Sequence, residues 1–400
     1  MDGHDLLGGQ VDHRGAYLLH GLHDRRPPQA LGRRLCPYHE TKKDDAPGSH
    51  DFLRTRPGGP RIAYRCAARQ TMAPSFQSRP CAPTIAPGRR PCRIRCATPG
   101  RRGSSAGGGV RVDLAVREVV RPKSIHEALT LLAERAESAP IAGGTDLVVQ
   151  LRDGRRRLTT LIDLGALRLA GIRVSNGGIE IGAGTRMDAI AADPHVRRLH
   201  PALAASAGQV GAWPIQCRAT LGGNLANASP AADTAPALIV AAATLVIVST
   251  GGTRRLAVEE FFVGPGRSAL TRGELIVAVE LPSPAAARGA RVVERFVKVG
   301  PRREQIVSVV SLAGRAVVQA DGTLAEVRLA LGSVAPTPVR ARRAERVVVG
   351  CRPTPVVRRE AVVALEADIA PIDDVRAPAR YRRLAAAVLL DRFLAEAGHA

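Results

Sequence analysis

Aromatic side chains are scarce in this chain of 400 residues, where Phe, Trp and Tyr together make up 3% of the sequence. Long apolar runs are missing as well, and no stretch approaches the roughly 18 uninterrupted apolar residues of a membrane-spanning helix. The N-terminus lacks the basic-then-apolar order of a secretory signal. The lack of long apolar runs excludes a chain that spans a bilayer, and the lack of a signal pattern favours the cytoplasm. We therefore expect a cytoplasmic location, where disulfide bonds are uncommon.

Acidic side chains are absent between Asp51 and Asp113, although the whole chain has 36 of them against 58 Lys and Arg, a formal net charge of +22. Five of the seven cysteines and six of the ten histidines also precede residue 111. Pro, Arg, Gly and Ser interrupt this segment too often for a helical or strand period, so it cannot bury enough apolar surface for a core. We predict that residues 1–110 are a disordered basic extension, or upstream sequence included by a misassigned start.

Two binding functions are alternatives for this extension. Cys81, Cys92 and Cys96 could ligate a metal, but their spacing matches neither a zinc finger nor an iron–sulfur run. The arginines could bind nucleic acid, and such binding would fall steeply with salt and vanish without residues 1–110. The Ala-, Arg- and Gly-rich usage of the whole chain is also typical of a GC-rich genome. We therefore expect neither a metal nor a nucleic-acid partner.

Regular periodicity begins near Val112. Ser124 and Glu127 form a capping box at the start of an amphipathic helix. Glycine turns at 176–177 and 251–252 separate short β-branched runs and predict two hairpins. The middle of the chain is rich in strand patterns and poor in helical ones, so we predict an α+β domain over residues 111–286.

A second pattern starts after a Pro- and Ala-rich joint at 282–289. The turn Asp321-Gly322 lies between two long apolar runs and predicts an antiparallel hairpin, and two or three helices follow. We predict a small α+β domain over residues 291–400, an antiparallel sheet covered by helices. The charged residues of the last helix are expected on a solvated face: Arg382, Arg383, Asp391, Arg392 and Glu396.

A glycine loop follows a predicted strand in the sequence Ile141-Ala142-Gly143-Gly144-Thr145-Asp146. Adjacent glycines let backbone N–H groups approach an anion without a Cβ in the way, and Thr145 can cap the short helix that follows. Asp146 would repel a diphosphate, so we expect it to hold the loop through backbone hydrogen bonds. A tight turn with a helix cap is the alternative, because the spacing is neither a Walker loop nor the dinucleotide fingerprint.

A second glycine loop lies about eighty residues later, in the run RATLGGNLANASPAAD from Arg218 to Asp233. Asn224 and Ser229 supply neutral donors and acceptors, and the Asp233 carboxylate suits a ribityl or ribose hydroxyl. Two such loops could hold one extended ligand from both sides, and a dinucleotide has the required length.

Five segments occur in the same order as in one known family: AGGTDL, ATLGGNLANASPAAD, FFVGPGRSAL, GELIVAVELP and RFVKVGPRREQIVSVVSLA. In these segments the chain resembles the FAD-binding medium subunit of molybdenum hydroxylases, as found in bacterial xanthine, aldehyde and carbon monoxide dehydrogenases. The resemblance begins near residue 111 and reaches residue 400. It implies a two-lobed FAD-binding domain of the vanillyl-alcohol oxidase and molybdopterin dehydrogenase type, followed by the small C-terminal domain.

The resemblance also implies roles for individual residues. Ser229 and Asp233 would lie beside the ribityl chain and the flavin, Ile276 would pack on adenine, and Lys298 would sit near the isoalloxazine ring. A cation there favours the anionic reduced flavin. The FAD diphosphate would lie between the two loops: Ala142, Gly143, Gly144, Thr145 and Asp146, and Thr220, Gly222, Gly223 and Asn224.

Departures from the family pattern set limits on the resemblance. Cys217 stands where relatives usually have asparagine, and Trp213-Pro214 form an unusual loop before it. No additional cysteine cluster interrupts the FAD region, so a further iron–sulfur centre is not expected, and Cys217 and Cys351 are expected to be structural. Neither loop has a histidine that could anchor flavin, which predicts noncovalent FAD.

The function implied by the resemblance is electron relay. FAD would take electrons from iron–sulfur centres of a separate small subunit, which draws them from a molybdenum cofactor on a large subunit, and this chain would pass them to NAD or another acceptor. No catalytic residue and no metal ligand is assigned to this chain. An autonomous FAD-dependent oxidase or reductase of the same fold is the alternative enzyme.

Overall fold

A computed structural model of the chain describes residues 115–175, 177–284, 289–302 and 305–399. The predictions for residues 1–110, and the turn residue Asn176, lie outside these ranges. Within them, no helix combines the length and the apolar content that crossing a bilayer requires.

The first lobe is a small parallel sheet with two helices. Its elements in chain order are β1 (Glu118–Val120), α1 (Ile125–Glu134), β2 (Ser138–Ile141), α2 (Leu147–Arg152) and β3 (Thr160–Asp163). The strand order is β1-β3-β2, and both pairings are parallel. The predicted Ser124 cap forms, because the Glu127 amide donates to Ser124 Oγ at 3.1 Å, but the Glu127 carboxylate accepts from the amide of Lys123, one residue before the N-cap, at 2.7 Å.

The second lobe is built on an antiparallel sheet. Its strands are β4 (Ile172–Ser175), β5 (Gly178–Gly182), β6 (Thr244–Ser249), β7 (Gly252–Ala257) and β10 (Leu275–Pro282), with the short ribbon β8 (Phe262–Gly264) and β9 (Arg267–Ser268). The sheet order is β4-β5-β10-β6-β7. The two predicted hairpins are β4–β5 and β6–β7, each paired antiparallel.

Helices fill the middle of the chain, and the prediction of a helix-poor middle was wrong. The helices are α3 (Met187–Ala192), α4 (Pro194–Leu199), α5 (Pro201–Ala207), α6 (Trp213–Gln216), α7 (Leu221–Ala226), α8 (Thr234–Val240) and α9 (Val258–Phe261). They are short, and α8 is buried at all seven of its positions. A helix that is apolar on every side has no amphipathic period, so pattern analysis misses it.

The C-terminal domain has the predicted antiparallel sheet covered by helices. Its elements are β11 (Arg291–Val299), β12 (Val310–Val318), β13 (Leu324–Gly332), β14 (Val339–Arg340), α10 (Arg342–Val348), α11 (Pro355–Leu365) and α12 (Ala379–His399). The strands pair in chain order. One face of the sheet packs against α10 and α12, and the other packs against α5 and α8 of the second lobe.

Arg382 does not lie on the solvated face where the sequence placed it. The residue is 2% exposed, and its guanidinium donates to the carbonyls of Val309 and Ser333 at 2.7 and 2.9 Å and to Asp374 at 2.7 Å. A charged side chain at this depth is tolerated because both terminal nitrogens find acceptors, while Nε has no hydrogen-bond partner among the described residues. Arg382 therefore ties α12 to the end of the sheet.

Strand β11 carries the contact between the domains on alternate residues. Glu294 accepts a hydrogen bond from the Ala202 amide of α5 at 3.1 Å, Phe296 belongs to the apolar core of the second lobe, and Lys298 pairs with Asp233 at 2.6 Å. Residues two apart in a strand point to the same face. This face of β11 is called the seam below.

Two titratable groups with opposite pKa shifts lie where α5 packs on β11: His200 at the start of α5 and Glu294 on β11. Burial, and secondarily the charge of Arg315, lowers the pKa of His200 to about 4, while burial raises the pKa of Glu294 to about 7. Both side chains are almost completely buried. The folded protein therefore favours neutral His200 and neutral Glu294.

These shifts predict opposite pH dependences of stability. The His200 contribution is present above its ordinary pKa of 6.5 and is lost as pH falls toward 4, whereas the Glu294 contribution is present below 4.5 and is lost as pH rises toward 7. Each amounts to about 3 kcal/mol. In the wild-type chain these two opposite changes of stability with pH nearly cancel.

Removing either group should expose the slope of the other. We expect His200→Leu to lose stability as pH rises from 4.5 to 7, and Glu294→Gln to gain stability as pH rises from 4 to 6.5. Urea unfolding at half-unit pH steps measures both slopes. Parallel pH profiles for the two variants would contradict the shifts.

Candidate functional site

A cavity of about 1700 Å³ opens where the first lobe meets the second. Ordinary small-molecule sites occupy roughly 300–1000 Å³, so this one suits a longer ligand. Lys298 is not part of the lining. The lining includes the other twelve predicted site residues: Ala142, Gly143, Gly144, Thr145, Asp146, Thr220, Gly222, Gly223, Asn224, Ser229, Asp233 and Ile276.

The first glycine loop packs directly on the backbone of the second. A Cβ on Gly143 would lie 2.0 Å from the Arg218 carbonyl oxygen, so no larger residue fits there. Gly144 has φ of +71°, a left-handed conformation that favours glycine. The two glycines therefore serve different needs, a close approach between loops and a backbone turn.

The end of the first loop differs from the expectation in two details. The N-cap of α2 falls on Asp146 rather than Thr145, and no side chain caps the helix there. The Asp146 carboxylate accepts from Gln150 Nε2 at 2.7 Å, instead of holding the loop through backbone amides. Gln150 is four residues further on the same helix, and this spacing places the two side chains together.

The second glycine loop forms the start of α7. Thr220 caps this helix through its hydroxyl, which accepts from the Gly223 amide at 3.2 Å. The amides of Leu221 and Gly222 donate to the carbonyls of Thr185 and Ala183 at 3.0 and 2.8 Å. These first-turn amides thus donate inside the protein, whereas the glycine pattern predicted amides that approach the diphosphate.

The helix ends in a strained turn that redirects the loop. Ala228 has φ of +47° and is buried, a conformation that non-glycine residues seldom adopt. After it, Ser229 Oγ accepts from the Ala231 amide at 3.2 Å, and Asp233 reaches the seam. Asn224 lies earlier in α7, where its Oδ1 accepts from the Thr234 hydroxyl at 2.6 Å.

Lys298 lies behind Asp233 as seen from the cavity. Its ammonium donates to Asp233 Oδ2 at 2.6 Å and to the Gln209 carbonyl at 2.9 Å, and its side chain is 3% exposed. The Ser308 hydroxyl donates to the other carboxylate oxygen. Burial raises the pKa of Asp233, and the charge of Lys298 opposes that rise.

The other cavity carboxylates are also held by partners. Asp163 accepts from the Gly165 amide and from Arg121 at 2.9 Å, and the amide bond is the main reason that its pKa is lowered. Arg254 bonds both oxygens of Glu274 and lowers its pKa to about 2. Among the described residues that line the cavity, no histidine occurs and all four carboxylates are engaged.

The site matches an extended dinucleotide in size. Two loops from different lobes close on one cavity, and glycine is required at the contact between them. The described part of the chain contains no cluster of three or more side chains that could hold a metal ion. The two-lobed fold and the size of this cavity are those of a class of proteins that bind a dinucleotide cofactor.

Comparison with known proteins identifies the family. The family model described as the FAD binding domain in molybdopterin dehydrogenase matches residues 114–284, and the CO dehydrogenase flavoprotein C-terminal domain matches residues 295–397. The xanthine dehydrogenase FAD-binding subunit of Escherichia coli O157:H7 is 31% identical over 265 residues, which cover 66% of this chain and 89% of that protein. The chain belongs to the FAD-binding medium subunits of molybdenum hydroxylases, and its cofactor is FAD.

Other relatives agree with this assignment. The carbon monoxide dehydrogenase medium chain of Afipia carboxidovorans is 30% identical over 274 residues, which cover 68% of this chain and 93% of that one. A crystal structure of Cu,Mo-CO dehydrogenase contains a chain that superposes with a TM-score of 0.66 at 28% identity, covering 70% of this chain and 97% of the other. The predicted family, fold class and cofactor are confirmed.

Sequence reasoning missed three contributors to this cavity. Gln150 and Asn227 line it and are hydrogen-bonded to each other, and the Arg218 carbonyl contacts the first loop. Only the position of Gln150 four residues after Asp146 gave a signal. The contact between Gln150 and Asn227 joins residues 77 positions apart, which no local pattern reveals.

Proposed function

We propose that this chain is the electron-relay subunit of a molybdenum hydroxylase complex. It would accept electrons from iron–sulfur centres of a separate small subunit, which receives them from a molybdopterin-containing large subunit, and deliver them to NAD or another acceptor. The similar proteins named a FAD-binding subunit and a medium chain support this proposal, since both names describe parts of larger enzymes.

The main support for the proposal is that every described carboxylate lining the cavity is hydrogen-bonded to a neighbouring group. Asp146, Asp163, Asp233 and Glu274 each accept hydrogen bonds from a neighbouring side chain or ion-pair partner. A chain that oxidised an organic substrate by itself would need a base within reach of that substrate. With these groups engaged, the described cavity offers positioning and electrostatics, which is what a flavin relay requires of its protein.

The residues of this chain would divide the work along the cofactor. The two glycine loops would hold the diphosphate, Ser229 and Asp233 the ribityl chain and flavin end, and Ile276 the adenine. Bound FAD supplies the ability to exchange electrons singly with iron–sulfur centres and in pairs with a nicotinamide. Lys298 would fix Asp233 and place a compensated charge pair beside the ring.

The relay can be tested on the purified full chain loaded with FAD. Small alcohols and aldehydes, added without oxygen, should leave the flavin absorbance unchanged, while the reduced iron–sulfur small subunit of the proposed complex should bleach it. Reoxidation by NAD would then identify the acceptor. Sustained oxidation of an alcohol or aldehyde by the chain alone would instead identify an autonomous oxidase.

We further propose the domain limits 111–286 and 291–400, with residues 1–110 dispensable for flavin binding. The match to the FAD-binding family model begins at residue 114, which supports this limit. A chain starting at Val112 should be as soluble as the full chain and should bind FAD with the same affinity and stoichiometry. Flavin absorbance after gel filtration measures the stoichiometry, and titration with FAD measures the affinity. Lost flavin in the shortened chain would make the basic segment a structural part.

A further inference from the structure

The side chain of Gln150 joins the two glycine loops. From α2, after the first loop, its Nε2 donates to Asp146 Oδ2 at 2.7 Å and to Asn227 Oδ1 at 3.0 Å. Asn227 is the C-cap of α7, the helix of the second loop. One amide group thus uses both of its N–H donors to connect elements from different lobes.

The chemistry of Asp146 fixes which way each amide faces. An ionised carboxylate only accepts, so Gln150 must turn its NH2 group toward Asp146, and the same NH2 group then faces Asn227. Asn227 therefore presents its oxygen to Gln150 and keeps its own NH2 group for another partner. The Asn224 amide has the corresponding orientation, because its oxygen accepts from the Thr234 hydroxyl and its NH2 group is left for another partner.

These two asparagines matter because backbone donors are already used in the second loop. The amides of Leu221, Gly222 and Gly223 donate to protein oxygens. A diphosphate accepts hydrogen bonds and would be repelled by an exposed carbonyl or carboxylate oxygen. At this wall of the cavity, the side-chain NH2 groups of Asn224 and Asn227 are suitable donors, and both residues line the cavity.

We propose that Asn227 is a further cofactor-binding residue, whose NH2 group donates to the FAD diphosphate, and that Gln150 is the positioning residue that orients this amide. Asn227 binds by direct contact, and Gln150 acts through it. In the same arrangement, Gln150 covers one oxygen of Asp146 that would otherwise face the anion. The inference rests on the diphosphate placement proposed above.

The test is FAD affinity of the full chain after its flavin has been removed, with ADP as a competing probe that shares the diphosphate. Asn227→Ala loses one donor to a charged acceptor and should weaken FAD and ADP binding roughly tenfold or more. Asn227→Asp keeps the size and the bond from Gln150, but turns a carboxylate oxygen toward the diphosphate. It should weaken both ligands further, by at least a hundredfold. Equal affinities for wild type, Asn227→Ala and Asn227→Asp would overturn the assignment.

A double-mutant cycle shows whether Gln150 orients the Asn227 amide or only holds the two loops together. Gln150→Met removes the two donors without adding charge, so Asn227 can rotate and FAD binding should weaken several-fold. In the Asn227→Ala background the same change should have no further effect, because no amide remains to orient. An undiminished effect of Gln150→Met in that background would show that Gln150 only braces the loops. Thermal unfolding of each flavin-free variant checks that all are folded.

Failure of this inference is distinguishable from failure of the diphosphate placement. Gly223 lines the same wall and does not depend on the orientation of Asn227. If Gly223→Val keeps FAD, the placement itself is wrong. If Gly223→Val loses FAD while Asn227→Asp keeps wild-type affinity, the placement stands and the role of Asn227 is refuted.

Discussion

Replacing Gly223 by valine should abolish FAD binding while the protein stays folded. A Cβ at this position meets Thr220 Oγ1 at 2.9 Å, and within the part of the chain that the structure describes no other atom lies within 4 Å, apart from its chain neighbours and the backbone of its own helix. The two further methyl groups of valine would therefore displace the helix cap and project into the cavity. Overpacking of this kind costs roughly 1–3 kcal/mol in a core. A rigid cofactor can relax less than a protein core, so we expect FAD affinity to fall by about a hundredfold or more.

Flavin absorbance of the purified variant measures the result, and Gly251→Val is the matched control. Gly251 lies in the hairpin turn between β6 and β7, where a Cβ has ample room, and the change there should leave FAD binding intact. Gly144 is a poorer test position, because its φ of +71° strains any substitution whether or not FAD is nearby. A Gly223→Val protein with stoichiometric flavin would refute the diphosphate placement.

Lys298→Met should have the largest effect on stability. It leaves the Asp233 carboxylate buried without its ion-pair partner, which typically costs about 3–5 kcal/mol. The pKa of Asp233 is raised by burial and held back by Lys298, so it should rise further in the variant. Because a raised carboxyl pKa makes the folded state bind its proton more tightly, the destabilisation should grow as pH increases.

The same variant should lower the flavin reduction potential. With Lys298 removed, an ionised Asp233 at the cavity wall disfavours the reduced anionic flavin. One charge-assisted interaction of about 1.5–3 kcal/mol corresponds to a few tens of millivolts for a two-electron couple. A redox titration at two pH values measures the shift, which should be larger at the higher pH.

Lys298→Met combined with Asp233→Asn is the control for both effects. This double variant removes the two charges together, so stability should recover by most of the loss, as buried pairs replaced as a unit often do. An unchanged potential in Lys298→Met would return Lys298 to a purely structural role at the seam.

The two glycine loops could be located from the sequence, whereas the contacts that support them could not, for a physical reason. Paired glycines are visible in a sequence, and the structure needs glycine for close approach at Gly143 and Gly222 and for a left-handed backbone at Gly144. Lys298 was recognised as important through its family resemblance, but its pairing with Asp233 joins residues 65 positions apart. Such pairings depend on how two domains pack, and neither residue carries a local pattern that specifies the other.

The short helices between residues 187 and 261 could not be predicted because some of them lack a polar face. Complete burial of α8 removes the polar face that makes a helix recognisable, and only composition remains. Arg382 shows the same limit on a charged residue, since an arginine at helical spacing suggests a solvated face until the carbonyls at the end of the sheet are seen. Burial is a tertiary property that a one-dimensional pattern reflects indirectly.

Because of the seam on β11, the two segments matched by the two family models, residues 114–284 and 295–397, are not expected to be stable as separate proteins. Cleaving the chain near residue 287 would leave the N-terminal piece without the Phe296 ring in its core and without the ammonium that balances Asp233. Each piece would expose apolar surface that the other normally covers. Two separately translated halves should therefore reassemble by fragment complementation, and a gene split at this joint would still encode one flavoprotein.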